Sequence, residues 1–249
     1  MNLLLAGLVV FMTHALEGVT GFGCTVLALP FMCWLVGPRI AVPVLVTLAW
    51  MLAILIVVKA RCHIVWREFG RIVLYALPGL PLGMVLYRYL PERGLLILLG
   101  VFMIFVGVRG LAHHWIRHVG MTTQQTPNWR HRLALFGGGI VQGALGSGGP
   151  LVVIYAARAL ANKSVFRVTL CMLWFSLNSI LIAGWLADGT TFRNPEILRV
   201  LAVTIPFMLA GLWTGDRLHH RVNERQFRIG IYALLALCGT VMLVNKLTK

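Results

Sequence analysis

The stretch EGVTGFG at residues 17–23 returns as QGALGSG at residues 142–148, and each copy interrupts an apolar segment of the chain. The three glycines keep the same spacing in both copies. Two glycine-rich breaks at equivalent places in the two halves of a membrane protein are typical of a substrate site built from discontinuous helices. The pair therefore favours a transport function.

The composition indicates a bilayer environment. Of the 249 residues, 59% are hydrophobic and only 12% are charged, whereas a soluble domain carries about 25% charged residues. Because the first residues are apolar and lack a basic leader, we expect a membrane segment there and not a signal peptide. The net charge of +15 comes from Lys and Arg residues between apolar segments. These residues are expected to contact anionic lipid, and nucleic acid is not an expected partner. The five cysteines are scattered and form no C-x-x-C pair, so we expect no disulfide framework, metal site or cofactor.

Ten apolar segments can be drawn along the chain. They are residues 3–16, 25–36, 40–58, 72–90 and 95–111 in the first half, and 133–145, 151–160, 168–186, 197–212 and 229–244 in the second. The halves align through the glycine motifs and through Pro78 and Gly83, which match Pro206 and Gly211. Five segments per half is an odd number, so the second copy must enter the membrane inverted. The predicted fold is an all-α integral membrane protein with two inverted repeats of about five helical segments, residues 1–111 and 132–249, joined by a polar linker at 112–131.

The distribution of basic residues predicts the orientation. If the segments alternate sides, most of the 22 Lys and Arg residues lie opposite the termini, which predicts that both termini are periplasmic or extracellular. The first two segments of each half are short, because about 14 helical residues rise only about 21 Å against a hydrocarbon core of about 30 Å. They are either short tilted helices or re-entrant pairs. In both cases their glycine tips are expected to meet near the bilayer midplane, where non-helical backbone must be buried or line a cavity.

The glycine motifs are suited to holding an anion. Each precedes an apolar helix, so each exposes unpaired N–H groups and the positive end of a helix dipole. The alternative is that the glycines only allow close helix packing. Hydroxyl and amide side chains nearby could complete the site, and Asn178 is equally explained as a contact between helices. The predicted substrate-binding residues are Gly18, Thr20, Gly21, Gly23, Thr25, Gln142, Gly146, Ser147, Gly148 and Asn178.

His14 and Glu17 form an unusual ionisable pair. They are three residues apart and therefore share a helix face. A carboxyl group inside the membrane is costly, so Glu17 is a candidate for carrying a coupling proton or cation, with His14 beside it. The alternative is that Glu17 is protonated or caps nearby N–H groups. By contrast, His131 and the other histidines near the linker are expected to be solvated surface residues.

The motifs resemble those of the TauE/SafE sulfite exporter family, also called the 4-toluene sulfonate uptake permease family. The resemblance rests on residues 17–23 with Pro30, on residues 142–150, and on residues 163–169 leading into the Asn178 helix. The first copy departs from the second, because Cys24 and Thr25 stand where the second has Gly149 and Pro150. The resemblance implies inner-membrane secondary transport of a sulfur-containing anion such as sulfite or an organosulfonate.

The functional prediction is a secondary transporter, with export favoured, working by alternating access at the paired glycine breaks. The alternatives are a membrane-embedded enzyme, which lacks a visible cluster of catalytic groups, and a non-transporting scaffold or receptor subunit. The expected partners are the small anion, membrane lipid and a coupling proton or cation, and a homodimer is left open.

Overall fold

A computed structural model of the chain describes residues 3–20, 24–116, 128–160, 162–218 and 224–247. These residues form eleven α-helices and two short 3₁₀ turns, with no strand among them, so the prediction of an all-α fold is confirmed. The helices are α1 (Leu3–Thr20), α2 (Cys24–Val36), α3 (Pro38–Ala60), α4 (Trp66–Ala76), α5 (Gly79–Tyr89), α6 (Glu92–Ile116), α7 (Trp129–Leu145), α8 (Gly149–Ala159), α9 (Lys163–Asp188), α10 (Pro195–Leu218) and α11 (Glu224–Leu247).

Four of the described helices are long and apolar enough to cross a membrane. They are the helical stretches Pro38–His63, Glu92–Ala112, Ser164–Asp188 and Pro195–Gly215, and α4 with α5 would make a fifth if the bent pair is one span. The helices α1 and α2 and the stretch Leu235–Val244 are apolar but shorter. The chain is therefore a multi-pass membrane protein.

The helix ends follow from local sequence. Asn162 caps α9, because its Oδ1 accepts hydrogen bonds from the backbone N–H groups of Ser164 and Val165 at 2.9 and 3.3 Å, as a good N-cap residue does. Gly189 ends the same helix with φ = 66°, a left-handed conformation that glycine adopts without strain. Gly37, with φ = 79°, separates α2 from α3 in the same way.

The segment predicted at residues 72–90 is not one helix. It is broken at Leu77 and Pro78 into α4 and α5, which meet at a bend of 46°. Pro78 has no N–H to continue the helix, and Pro81 removes a second donor one turn later. The matching Pro206 stands alone and lies inside the continuous helix α10. The two halves thus differ at this matched position.

The chain divides into two compact units. The first contains Met1–Val42, Leu90–Gly120 and Val200–Lys249, and its core includes the pairing of α6 with α11. Glycines permit this pairing, because a Cβ at Gly107 would lie 2.7 Å from the Tyr232 carbonyl oxygen and one at Gly239 would lie 2.8 Å from that of Gly100. Helix α1 contacts α10 at Gly211, where a Cβ would lie 2.5 Å from the Phe11 carbonyl oxygen.

The second unit contains Pro43–Tyr89 and Met121–Arg199. Its α7 packs backbone to backbone against α4 and α5. A methyl group at Gly79 or Gly83 would overlap carbonyl oxygens of α7, and one at Gly139 or Gly143 would overlap those of Ala76 or Leu80. Each unit therefore draws helices from both halves of the sequence. The division into repeats at 1–111 and 132–249 stays a prediction, and residues 117–127 of the expected linker lie outside the described residues.

Candidate substrate and cation sites

The second glycine motif forms a tight buried turn between α7 and α8. Gly146 ends α7 with φ = 63°, and its N–H donates to the Gln142 carbonyl at 2.8 Å. Ser147 and Gly148 complete the turn, and α8 begins at Gly149 with Pro150 in its first turn. The predicted helix break therefore lies at residues 146–148. Because the turn is buried, its polar groups need partners from the protein or from a ligand.

The Gln142 side chain supplies one of those partners and also bonds to α9. Its Oε1 accepts a hydrogen bond from the Gly148 N–H at 2.9 Å, and its Nε2 donates to Oδ1 of Asn178 at 2.7 Å. Both side chains are almost fully buried. The bond joins the turn to α9, so Asn178 does act as a contact between helices. A direct contact of Asn178 with a ligand stays a prediction.

Two glycines of this motif also have a packing role. A Cβ at Gly148 would overlap the Gly138 carbonyl of α7, and one at Gly143 would overlap α5. The packing alternative considered for the glycines therefore applies to these two positions. The Gly148 N–H is already bonded to Gln142, which leaves Ser147 and Gly149 as the remaining donors of the turn.

Ser147 carries the most unusual polar group of the turn. Its side chain is 1% exposed, and Oγ has no hydrogen-bond partner among the residues that the structure describes. Within those same ranges the backbone N–H groups of Ser147 and Gly149 also have no acceptor. Three donors at the N-terminus of α8 are thus without an acceptor in the described part of the chain, and those of Ser147 are buried. A buried donor without a partner costs about 1–3 kcal/mol.

The first motif is described only in part. Helix α1 continues through Gly18 to Thr20, whose side chain lies outside the described residues, as do all of Gly21 and Gly23. Thr25 is half-buried in the first turn of α2. The binding roles expected for these five residues stay predictions.

A second polar cluster lies in the first unit, where α1 and α2 approach each other. His14, Glu17 and Cys24 are buried, and a ring nitrogen, a carboxylate oxygen and the sulfur all lie within 4.8 Å of one another. The expected pairing of His14 with Glu17 on α1 is compatible with this geometry. Cys24, one of the five scattered cysteines for which the sequence predicted no metal site, is the third member. The sequence places Cys24 directly after the glycine break, and this position could have indicated that its thiol lies near Glu17.

Sequence reasoning missed a third cluster, in the second unit. The Tyr155 hydroxyl of α8 donates to Oε2 of Glu68 at 2.5 Å, and Arg71 bonds to the other carboxylate oxygen at 2.6 Å. The ring of His131 lies 5.9 Å from that of Tyr155. His131 is buried, so the expectation that it is a solvated surface residue is wrong. Glu68 is one of only seven acidic residues in the chain. This rarity could have marked Glu68 as a candidate for a specific contact.

Comparison with known proteins agrees with this architecture. The chain is 28% identical over 174 residues to the probable inner membrane transporter protein TsaS of Comamonas testosteroni, an alignment that covers 70% of each chain. No solved structure matches the chain significantly. The profile of the family described as sulfite exporter TauE/SafE matches residues 5–242. The chain therefore belongs to the TauE/SafE sulfite exporter family of membrane transporters.

Proposed function

We propose that this protein is a secondary transporter that exports a small sulfur-containing anion, such as sulfite or an organosulfonate, across the inner membrane. The observation that carries the proposal is the buried Ser147 at the turn before α8, whose Oγ and N–H have no partner among the described residues, together with the neighbouring N–H of the half-buried Gly149. The family description, sulfite exporter TauE/SafE, supports the substrate class, and the description of TsaS as a probable inner membrane transporter protein supports transport across the inner membrane.

The chemistry of the turn favours an oxyanion. A helix N-terminus carries about half a positive charge, and its free N–H groups point along the helix axis toward the ligand. Sulfite and sulfonate groups present three oxygens on one sulfur, which suits a serine hydroxyl and two backbone donors close together. Binding by dipoles avoids the cost of burying a lysine or arginine in the membrane. Gln142 accepts a hydrogen bond from the Gly148 N–H and donates one to Asn178, and these two bonds stabilise the turn.

The transport cycle we propose uses both glycine motifs, residues 17–23 and residues 142–148. One motif belongs to each proposed inverted repeat (1–111 and 132–249, with the linker 112–131), and alternating access would expose the substrate site to either side of the membrane. The pairing of helices within each unit supports the repeat: α1 contacts α10 in the first unit, and α7 contacts α4 and α5 in the second. In the alignment of the halves, α1 matches α7, and α10 matches the bent pair α4 and α5, so the same pairing occurs in both units.

The short helices support re-entrant hairpins. Helices α2 and α8 have 13 and 11 residues, which at 1.5 Å per residue rise only about 20 and 17 Å against a core of about 30 Å. We therefore propose that the α1–α2 and α7–α8 hairpins enter the membrane and return to the same side, with both chain termini periplasmic. Reporter fusions at the two termini test the proposed placement of the termini, and a cytoplasmic C-terminus would contradict that placement.

For coupling, we propose that Glu17 carries a proton or cation, with His14 beside it. Glu17 is 6% exposed and His14 is fully buried, and a buried carboxyl group in a membrane segment is a recurrent element of proton relays. In this proposal Glu17→Gln retains substrate binding and loses the response of flux to a proton gradient. Flux of the variant that still follows the gradient would exclude Glu17 as the carrier.

Counterflow in proteoliposomes tests the main proposal. Vesicles loaded with unlabelled sulfite or 4-toluene sulfonate should accumulate the labelled anion, whereas chloride- or acetate-loaded vesicles should not. Repeating the assay with and without a proton gradient measures coupling. Thermal unfolding first establishes that the purified protein is folded. Absence of counterflow for every sulfur oxyanion in such protein would overturn the proposed substrate class.

A further inference from the structure

We propose that His14, Glu17 and Cys24 form a binding site for one divalent transition-metal ion, and that Zn²⁺ is the ion that fits the site. The three donor atoms come from two helices, α1 and α2, and lie within 4.8 Å of one another in a buried location. An imidazole nitrogen, a thiolate and a carboxylate are the ligand types of zinc sites, whereas Mg²⁺ and Ca²⁺ prefer oxygen ligands alone. The inference does not depend on the proposed substrate, but a metal ion ligated by Glu17 and a coupling proton carried by Glu17 are alternatives.

His14 is oriented as a metal ligand. Its Nδ1 lies 2.8 Å from the Val10 carbonyl oxygen. Since that oxygen only accepts, Nδ1 must carry the proton, and Nε2 is then the nitrogen with a lone pair. Nε2 is buried and has no hydrogen-bond partner in the described part of the chain, and the residue is 0% exposed. Histidine ligands in metal sites almost always donate their second N–H to a carbonyl or carboxylate in this way.

The charges of the group also favour a dication. Zn²⁺ binding would release the thiol proton of Cys24 to solvent, and the resulting thiolate and the Glu17 carboxylate together carry two negative charges that the ion neutralises. Isolated charges are costly in an apolar interior, and paired or metal-bound ones are tolerated. Glu17 and Cys24 are 6% and 2% exposed, so water screens them little. A bound ion would make the buried cluster neutral and fasten α1 to α2 across the glycine break.

The geometry requires only small adjustments. In a tetrahedral zinc site the ligands lie about 2.0–2.3 Å from the metal, which separates neighbouring ligand atoms by roughly 3.3–3.7 Å. Side-chain rotations that bring the three atoms about 1 Å closer reach these values. Three protein ligands leave a fourth position for water or another small ligand, the pattern of an open zinc site.

Cobalt binding to the full-length protein in detergent tests the inference. Co²⁺ replaces Zn²⁺ in such sites and shows intense d–d bands when four-coordinate and a charge-transfer band when a thiolate is bound. We expect one equivalent of Co²⁺ to give both signals and stoichiometric Zn²⁺ to remove them. Cys24→Ser should abolish the charge-transfer band, and His14→Gln should weaken Zn²⁺ binding at least about tenfold.

Two control variants separate this site from other thiols. Cys62 is exposed beside His63, and Cys33 is buried in the same helix as Cys24. Cys62→Ser and Cys33→Ser should both keep the thiolate band. Retention of the band in Cys24→Ser, its loss in Cys62→Ser, or absence of any saturable signal in the wild-type protein would each overturn the assignment. If Cys24→Ser fails to fold, the wild-type titration and His14→Gln still decide the question.

Discussion

Ser147→Ala separates ligand binding from stability more cleanly than any other substitution in the turn. The change removes one oxygen atom and keeps Cβ, so packing around residue 147 is unchanged. The Oγ of Ser147 is buried and has no partner among the described residues, and burying such a hydroxyl costs about 1–3 kcal/mol in proteins. We therefore expect the free energy of unfolding without ligand to stay the same or to rise by about 1 kcal/mol.

The effect on the bound state has the opposite sign. A hydrogen bond to a charged acceptor contributes about 1.5–3 kcal/mol. At 1.4 kcal/mol per factor of ten, its loss weakens binding of the anion roughly 10- to 150-fold. The two remaining donors, the N–H groups of Ser147 and Gly149, belong to the backbone and are still present after the substitution. Residual binding at higher anion concentration is therefore expected.

The assay compares three proteins in the same detergent. Ser176→Ala is the matched control, because the Ser176 hydroxyl already bonds to the Met172 carbonyl of its own helix at 2.9 Å. Isothermal titration with sulfite and 4-toluene sulfonate gives the affinity, and thermal unfolding without ligand gives the stability. Binding by Ser147→Ala within about twofold of the wild type, or a parallel loss of affinity and stability, would refute the reasoning. Unchanged affinity in Ser176→Ala is required for the comparison.

Three further predictions test the architecture, and two of them include a matched control variant. Gly146→Ala and Gly189→Ala both place a side chain in a left-handed cap and should each lower the free energy of unfolding by about 1–2 kcal/mol. Only Gly146→Ala should reduce flux in proteoliposomes. Equal flux in the two variants would exclude residue 146 from the site. Gly139→Ala would place a methyl group against the Ala76 carbonyl and should lower the free energy of unfolding in detergent by about 1–3 kcal/mol. Gly70→Ala is the control, because the space around Gly70 is open, and it should be neutral or stabilising. Tyr155→Phe removes the bond to a carboxylate and should lower the unfolding free energy by about 1–2 kcal/mol; no change in unfolding would show that this bond is not stabilising.

The helices themselves were largely predictable from sequence. The apolar segment at residues 168–186 lies within α9, Lys163–Asp188, and the segment at 133–145 lies within α7. The reason is that each backbone group of a membrane helix must be satisfied inside its own segment. A long apolar run therefore specifies a helix with little contribution from the rest of the chain.

The break between α4 and α5 was less predictable. A single proline at residue 206 leaves α10 continuous, whereas Pro78 stands at a bend of 46°. The local difference is the second proline at residue 81 and the glycine between them. Gly79 also lies against α7, where any side chain would overlap the Phe136 carbonyl. The bend thus reflects both local chemistry and a packing partner more than fifty residues away.

By itself, the sequence determined that this chain is a helical membrane protein, where most of its helices lie, and that the motif at residues 142–148 contains a helix break. These properties depend on groups that are close together along the chain. Only the tertiary structure decided that Gln142 bonds to Asn178, that Tyr155 bonds to Glu68, and that Cys24 joins His14 and Glu17. Such contacts depend on distances of a few ångströms between atoms on different helices. Hydropathy does not encode those distances, because many helix rotations and registers bury the same apolar surface.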